Sequence, residues 1–144
     1  MGVLTNFFVA NADAAEAVAT SEAPFEEYYN AKSHGLDEKK LGSLYPITSF
    51  SAFSPTFMAD NAPILYEGES IILQLVPSDL VVSLCQIPDM GLPSVAKQWA
   101  ATDSFKGSDW TDETVEEALK NFTEVCREAL GEGKAVMMYY TQKA

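Results

Sequence analysis

His34 is the only histidine of the chain, and histidine is the side-chain type whose ordinary pKa suits proton transfer near neutral pH. Its neighbours Ser33 and Gly35 predict an exposed turn. A catalytic histidine also needs a nucleophile, an orienting group and an oxyanion hole. The chain has no Gly-x-Ser-x-Gly elbow, and Cys85 and Cys126 lack the sequence context of catalytic thiols. We therefore expect a solvated histidine and no catalytic residue, so an enzyme is the less favoured interpretation.

Carboxylates are the most abundant groups that could do chemistry, with 21 Asp and Glu in the chain. Paired carboxylates could bind a metal or transfer protons, yet the chain has neither a DxDxDG loop nor an HExxH pair. Glycine-rich phosphate loops are lacking as well. The carboxylates of residues 112–117 are explained by the positive N-terminal end of a helix and by solubility. We expect no metal and no cofactor.

The net charge supports a hypothesis about partners. Nine Lys and Arg against 21 Asp and Glu give a formal charge of −12. Nucleic acid and anionic membrane surfaces are disfavoured as partners, because binding polyanions needs clustered Lys and Arg. A basic protein partner is favoured, and we expect Glu116, Glu117 and Glu124 to form the face that steers it. The leading hypothesis is a non-enzymatic binding or regulatory module, although solubility alone accounts for the same charge.

Aromatic residues support the alternative, a small-ligand protein or small enzyme whose pocket is lined within residues 45–57. The rings that could line this pocket are Tyr45, Phe50, Phe53 and Phe57, with His34 or a carboxylate handling a proton. The competing prediction is that these rings fill the core, since a small domain needs large side chains to bury. Trp99 is expected in the core. Trp110 is expected to be partly exposed, or to staple the start of the last helix.

Hydrophobic periodicity predicts four strands and about five helices. The strands are predicted over 3–10, 63–67, 70–76 and 134–141, and the helices over 11–19, around 41–44, and over 78–87, 93–102 and 111–130. Gly68 and Glu69 join the middle two strands into an antiparallel hairpin. Pro46 must end or kink the second helix, and 47–58 is expected to be a packed loop with a helical turn. Residues 25–29 fit a short strand or an irregular segment equally well.

These elements predict a single α+β domain over residues 1–144, with a small, mainly antiparallel sheet packed against the helices. The two terminal strands are apolar on both faces, so we expect them in the sheet interior, next to each other. Two isolated cysteines and the lack of a charged leader favour a cytoplasmic protein. A homodimer could form through an edge strand or the Phe-rich loop, but nothing in the sequence requires it.

Three stretches of the chain give a resemblance to a family. They are the start Met1-Gly2 running into an apolar strand, the helical segment GLDEKKLGSLYPI at 35–47, and the ending FTEVCREALGEGKAVMMYY at 122–140. In the order of these features the chain resembles the uncharacterised bacterial family typified by YfbM. The resemblance covers under half of the chain. It implies no activity and transfers no functional residues.

Overall fold

A computed structural model of the chain describes residues 2–141. Within them lie five strands: β1 (Val3–Ala10), β2 (Tyr29–Lys32), β3 (Ile64–Glu67), β4 (Ile71–Leu75) and β5 (Ala135–Thr141). The same residues form seven α-helices: α1 (Ala15–Thr20), α2 (Pro24–Glu27), α3 (Glu38–Ser49), α4 (Phe57–Asn61), α5 (Ser78–Cys85), α6 (Leu92–Ala100) and α7 (Asp112–Glu132). Short 3₁₀ turns lie at Ala12–Ala14, Asp89–Gly91 and Asp103–Phe105.

The five strands form one sheet in the order β2-β1-β5-β4-β3, and every neighbouring pair is antiparallel. The α+β fold with an antiparallel sheet is thereby confirmed. The two terminal strands pair with each other inside the sheet, with Phe7 opposite Met138, as their two apolar faces predicted. The β3–β4 hairpin is also confirmed.

Side chains of β1 and β5 alternate between the two faces of the sheet, and both faces are buried. Phe7 and Met138 belong to the larger core, which α3, α5, α6 and α7 complete. Phe8 and Met137 belong to the smaller core, which α1 covers. Trp99 is fully buried in the larger core, as predicted. Its indole N–H donates a hydrogen bond of 2.8 Å to the main-chain carbonyl of Lys40, so its one polar atom is satisfied.

Helix α7 begins and ends as the sequence predicted. The Thr111 hydroxyl accepts a hydrogen bond from the Thr114 amide at 3.2 Å, the Thr114 hydroxyl accepts one from the Thr111 amide at 2.9 Å, and Gly133 ends the helix with a φ of 67°. The apolar spacing of residues 115–130 predicts that Leu130 belongs to the buried stripe of this helix, and this prediction is wrong, since Leu130 is 51% exposed. Over 21 residues a period of 3.6 brings Ala129 to the middle of the stripe and turns Leu130 to its flank.

Two other segments bear on the predictions: the end of α3 differs from its prediction, and residues 25–29 now have an assigned structure. Helix α3 continues through Pro46 to Ser49, so the proline does not end it. Pro46 has no amide to donate to the Gly42 carbonyl, so the helix loses this one hydrogen bond and still continues for three residues. The Pro46 carbonyl then accepts the amide of Phe50, whose φ of 56° reverses the chain. Residues 25–29, which fitted two readings, contain the end of α2 and the start of the edge strand β2.

Candidate functional site

The turn that carries His34 is fixed to the sheet by Ser33. The buried hydroxyl of Ser33 donates to the Leu4 carbonyl at 2.9 Å, and its amide donates to the Thr5 carbonyl at 2.9 Å. His34 and Gly35 then both have positive φ angles, of 55° and 86°. This conformation is uncommon for a residue with a side chain. The two Ser33 hydrogen bonds hold the chain just before His34, and the Leu36 amide donates to the Ser33 carbonyl at 3.1 Å across the turn. The imidazole is consequently exposed, as predicted, but has a defined position.

The His34 imidazole is held against helix α7. Its Nε2 atom lies 3.2 Å from the side-chain nitrogen of Asn121, which lies about two and a half turns beyond the helix start. The Asn121 side-chain nitrogen can donate a hydrogen bond to Nε2 in the tautomer that leaves this ring atom without a proton. The 87 residues between the two partners explain why sequence spacing gave no sign of the contact.

Trp110 closes the other side of this turn. A Cβ atom built on Gly35 would lie 3.1 Å from Cζ2 of the indole, so a residue with a side chain would crowd the ring and the ring would have to shift. Trp110 also meets the Phe105 ring edge-on, with centroids 5.2 Å apart, and the Lys40 ammonium lies 5.8 Å from its ring centroid. The residue is half-buried, in agreement with the expected partial exposure.

These side chains line a cleft of about 440 Å³, which we call the His34 cleft. Its lining residues are His34, Gly35, Asp109, Trp110, Thr114, Glu117 and Ala118. The fold therefore brings together three of the residues that the sequence singled out separately: His34, Trp110 and Glu117. The sequence analysis missed Asp109 and Thr114, whose only signal was their position around the helix cap. Two carboxylates and one indole make the cleft suited to a cationic group.

A second cleft of about 260 Å³ adjoins the first, and we call it the acidic cleft. It is lined by Asp112, Glu113, Glu116, Glu117 and Lys120, so Glu117 belongs to both clefts. The Lys120 ammonium lies 3.1 Å from the Glu116 carboxylate and is thus partly neutralised. Asp109, Asp112, Glu113, Glu116 and Glu117 amount to five carboxylates around the two clefts, against this one lysine.

Glu124, the third residue of the predicted steering face, lies farther along α7 and lines neither of these clefts. Its charge affects Tyr29 on the edge strand β2 instead. Burial raises the pKa of Tyr29, and the negative charges of Glu128 and Glu124 raise it further, which places both carboxylates near that phenol. The predicted acidic face therefore extends from the His34 cleft towards β2, with Glu124 beyond the two clefts.

The structure divides the four rings that the sequence proposed as one pocket. Tyr45 and Phe57 stack on each other with centroids 4.0 Å apart, and Phe57 is buried in the larger core, as the competing prediction stated. Phe50 and Phe53 are 88% and 62% exposed. The spacing of the four rings along the sequence did not reveal this division, because the chain leaves α3 at Phe50 and returns to the core only at α4.

The two cysteines show no sign of activation. Burial raises the pKa of the fully buried Cys126 thiol, and the nearby Cys85 raises it further. Burial also raises the pKa of the half-buried Cys85, although Arg127 lowers it in part. Reactive thiols need the opposite shift, so both behave as structural side chains. Within residues 2–141, no group of three or more His, Cys, Asp or Glu is arranged to hold a metal ion.

No helix in the described part of the chain is both long and apolar enough to cross a membrane. Comparisons with protein-family models, with curated proteins and with solved structures give no match. The resemblance to the YfbM family accordingly stays a prediction that rests on the three stretches quoted above.

Proposed function

We propose that the protein is a non-enzymatic binding module that recognises a basic segment of a partner protein. The observation that carries this proposal is the pair of clefts joined by Glu117, with five carboxylates and a single, ion-paired lysine around them. An elongated negative surface of this kind complements an extended chain that carries several Lys or Arg side chains.

Stabilisation of α7 is an incomplete explanation for these carboxylates. The stabilising effect of a helix dipole on carboxylates falls off within the first turn. It therefore accounts for Asp112 and Glu113, which lie in that turn. Glu116 and Glu117 lie in the second turn, and Asp109 precedes the helix. Asp109 and Glu117 both line the His34 cleft, where like charges repel each other. A cationic ligand would relieve that repulsion.

The His34 cleft is proposed to hold one Lys or Arg side chain of the partner. Asp109 and Glu117 would accept hydrogen bonds from its charged end, and the Trp110 ring would pack against its methylene groups. The acidic cleft would take a second cationic side chain. The held geometry of His34 and Trp110 means that little ordering accompanies binding.

The test compares two variants of equal net charge. One replaces Glu113, Glu116 and Glu117 by Gln, and the control replaces the exposed Glu16, Glu22 and Glu27 by Gln. The probe is a fluorescein-labelled, end-blocked Arg-Gly repeat peptide, followed by fluorescence anisotropy at low and at physiological salt. We expect about a tenfold loss of affinity for the α7 variant, because each rim charge contributes up to about 1 kcal/mol. The control should change affinity by less than about twofold.

Equal losses in the two variants would show that only net charge matters and would contradict the proposal. Absence of saturable peptide binding to the unchanged protein would contradict it as well.

The proposed place of action is the cytoplasm, and the proposed partner is a protein rather than nucleic acid. Both thiols are free, as is common for proteins of reducing compartments. The formal charge of −12 opposes association with polyanions.

A further inference from the structure

Phe53 separates two clefts on the side of α3. One has a volume of about 290 Å³, and we call it the Phe53 cleft; the other has a volume of about 380 Å³. Both are lined by Phe53 and Lys39, so they adjoin each other across the aromatic ring. None of the residues that line the His34 cleft or the acidic cleft takes part, so this site is independent of the proposed function.

Part of the wall of the Phe53 cleft is apolar. Pro46 and Ile47 lie on α3, and the Phe53 ring faces them from the exposed loop that follows it. A volume of about 290 Å³ is at the lower end of small-molecule sites, which begin at about 300 Å³. Such a space suits one or two fused rings rather than a nucleotide.

Three hydroxyl groups also line the cleft, that of Ser43 on α3 and those of Thr102 and Ser104 in the segment that follows α6. The Ser104 hydroxyl lies 2.8 Å from the Ser43 hydroxyl and 2.8 Å from the Thr102 hydroxyl. Ser43 also donates to the Lys40 carbonyl at 2.9 Å, and Thr102 to the Trp99 carbonyl at 2.6 Å. Each hydroxyl has only one proton. The protons of Ser43 and Thr102 are used in the bonds to the two carbonyls, so the single proton of Ser104 can be donated to only one of its two neighbouring hydroxyls.

This count leaves the hydroxyl cluster without a spare proton and with unused lone pairs. A ligand therefore meets hydrogen-bond acceptors here, and an N–H or O–H on its ring would complement them. The charged groups at the cleft are Lys39 and Asp103. The Asp103 carboxylate is paired with Lys106 at 3.0 Å, whereas Lys39 forms no ion pair with any residue of the described range 2–141. The available charge is therefore positive.

We propose that the Phe53 cleft binds a small planar aromatic acid whose ring carries an N–H or O–H donor. The ring would lie between Phe53 and Ile47, its donor would face the hydroxyl cluster, and its carboxylate would reach the Lys39 ammonium. The apolar walls would supply affinity, and the contacts with the hydroxyl cluster and with Lys39 would fix the orientation of the ligand.

The test titrates the full ¹⁵N-labelled chain with indole-3-acetate and follows amide chemical shifts. Two further probes each lack one feature: 1-naphthaleneacetate has no ring N–H, and 3-methylindole has no carboxylate. We expect saturable shifts centred on Ser43, Phe53 and Ser104. The naphthalene acid should bind about fivefold more weakly, as expected for the loss of one hydrogen bond.

Variants with matched controls assign the contacts. Lys39→Met should weaken the binding of indole-3-acetate about fivefold and leave the binding of 3-methylindole unchanged. Lys97→Met, also at an exposed helix position, should change the binding of neither probe. Phe53→Ala should weaken the binding of all three probes, and Phe50→Ala should weaken the binding of none. Phe50 and Phe53 are both exposed, so these variants should fold normally.

The proposal is overturned if no saturable shifts occur at millimolar probe, if the shifts centre outside the cleft, or if Phe50→Ala and Phe53→Ala behave alike. Each of these results leaves the basic-partner proposal standing, because that proposal depends on α7.

Discussion

Replacing Gly35 by Ala tests how the His34 cleft is built. The φ of Gly35 is +86°, a left-handed angle that costs a residue with a Cβ about 1 kcal/mol. The new Cβ would also lie 3.1 Å from Cζ2 of Trp110, closer than the roughly 3.5 to 4.0 Å of a relaxed carbon contact. The indole cannot move freely, because Phe105 packs against it at 5.2 Å. Relieving the contact should therefore add about 1 to 2 kcal/mol to the loss in free energy of unfolding.

Gly107→Ala is the matched control for the backbone contribution. Its φ is +72°, and no atom lies within 4 Å of the position a Cβ would take. We expect Gly107→Ala to lower the free energy of unfolding by about 1 kcal/mol and Gly35→Ala to lower it by about 2 to 3 kcal/mol. The difference between the two variants isolates the contact with Trp110.

Urea unfolding followed by far-ultraviolet circular dichroism measures both values, provided that the slope with denaturant stays the same. The Arg-Gly peptide provides a second readout, because displacement of Trp110 should weaken its binding in Gly35→Ala and leave it unchanged in Gly107→Ala. Equal losses of stability in the two variants, to within about 0.5 kcal/mol, would refute the reasoning that Gly35 is needed to seat the indole.

Two further predictions concern α7 and the core. Thr111→Ala removes the acceptor for the Thr114 amide and should lower the free energy of unfolding by about 1 kcal/mol in the same urea experiment, whereas Thr56→Ala, at a helix start without a side-chain cap, should cost less than half of that. The second prediction is a loss of stability at alkaline pH. Burial raises the pKa of Tyr140, and the charges of Glu38 and Asp37 raise it further. The native state thus holds its phenol proton at a pH where the unfolded chain has lost it. Stability should be unaffected below about pH 10 and should then fall by up to about 1.4 kcal/mol per pH unit from this group. Tyr140→Phe should make the fall less steep above pH 10, and an unchanged slope in the variant would show that Tyr140 is not its source.

The central strand pair could be predicted because local pattern and burial agree there. Phe7 and Phe8, like Met137 and Met138, point to opposite faces, and both faces are covered. The strand β2 could not be predicted. Its four residues, Tyr-Asn-Ala-Lys, include no β-branched side chain and are too few for their alternation to stand out, and their conformation comes from pairing with β1.

The candidate site was predictable as separate residues but not as a site. The sequence identified His34 as an exposed turn residue and Glu117 as part of an acidic helix face. Their meeting at one cleft depends on how β2 lies against α7, which no local pattern encodes. Likewise, the side chains of Phe53 and Phe57 are four residues apart, yet one is exposed and the other lies in the core.

Mapping the basic peptide onto the ¹⁵N-labelled chain tests the central claim most directly. The account predicts amide shifts at His34, at Gly35 and across residues 109–118, with a salt dependence shared by all of them. Shifts spread evenly over the acidic surface, or centred near Glu16, Glu22 and Glu27, would contradict a binding site at the start of α7.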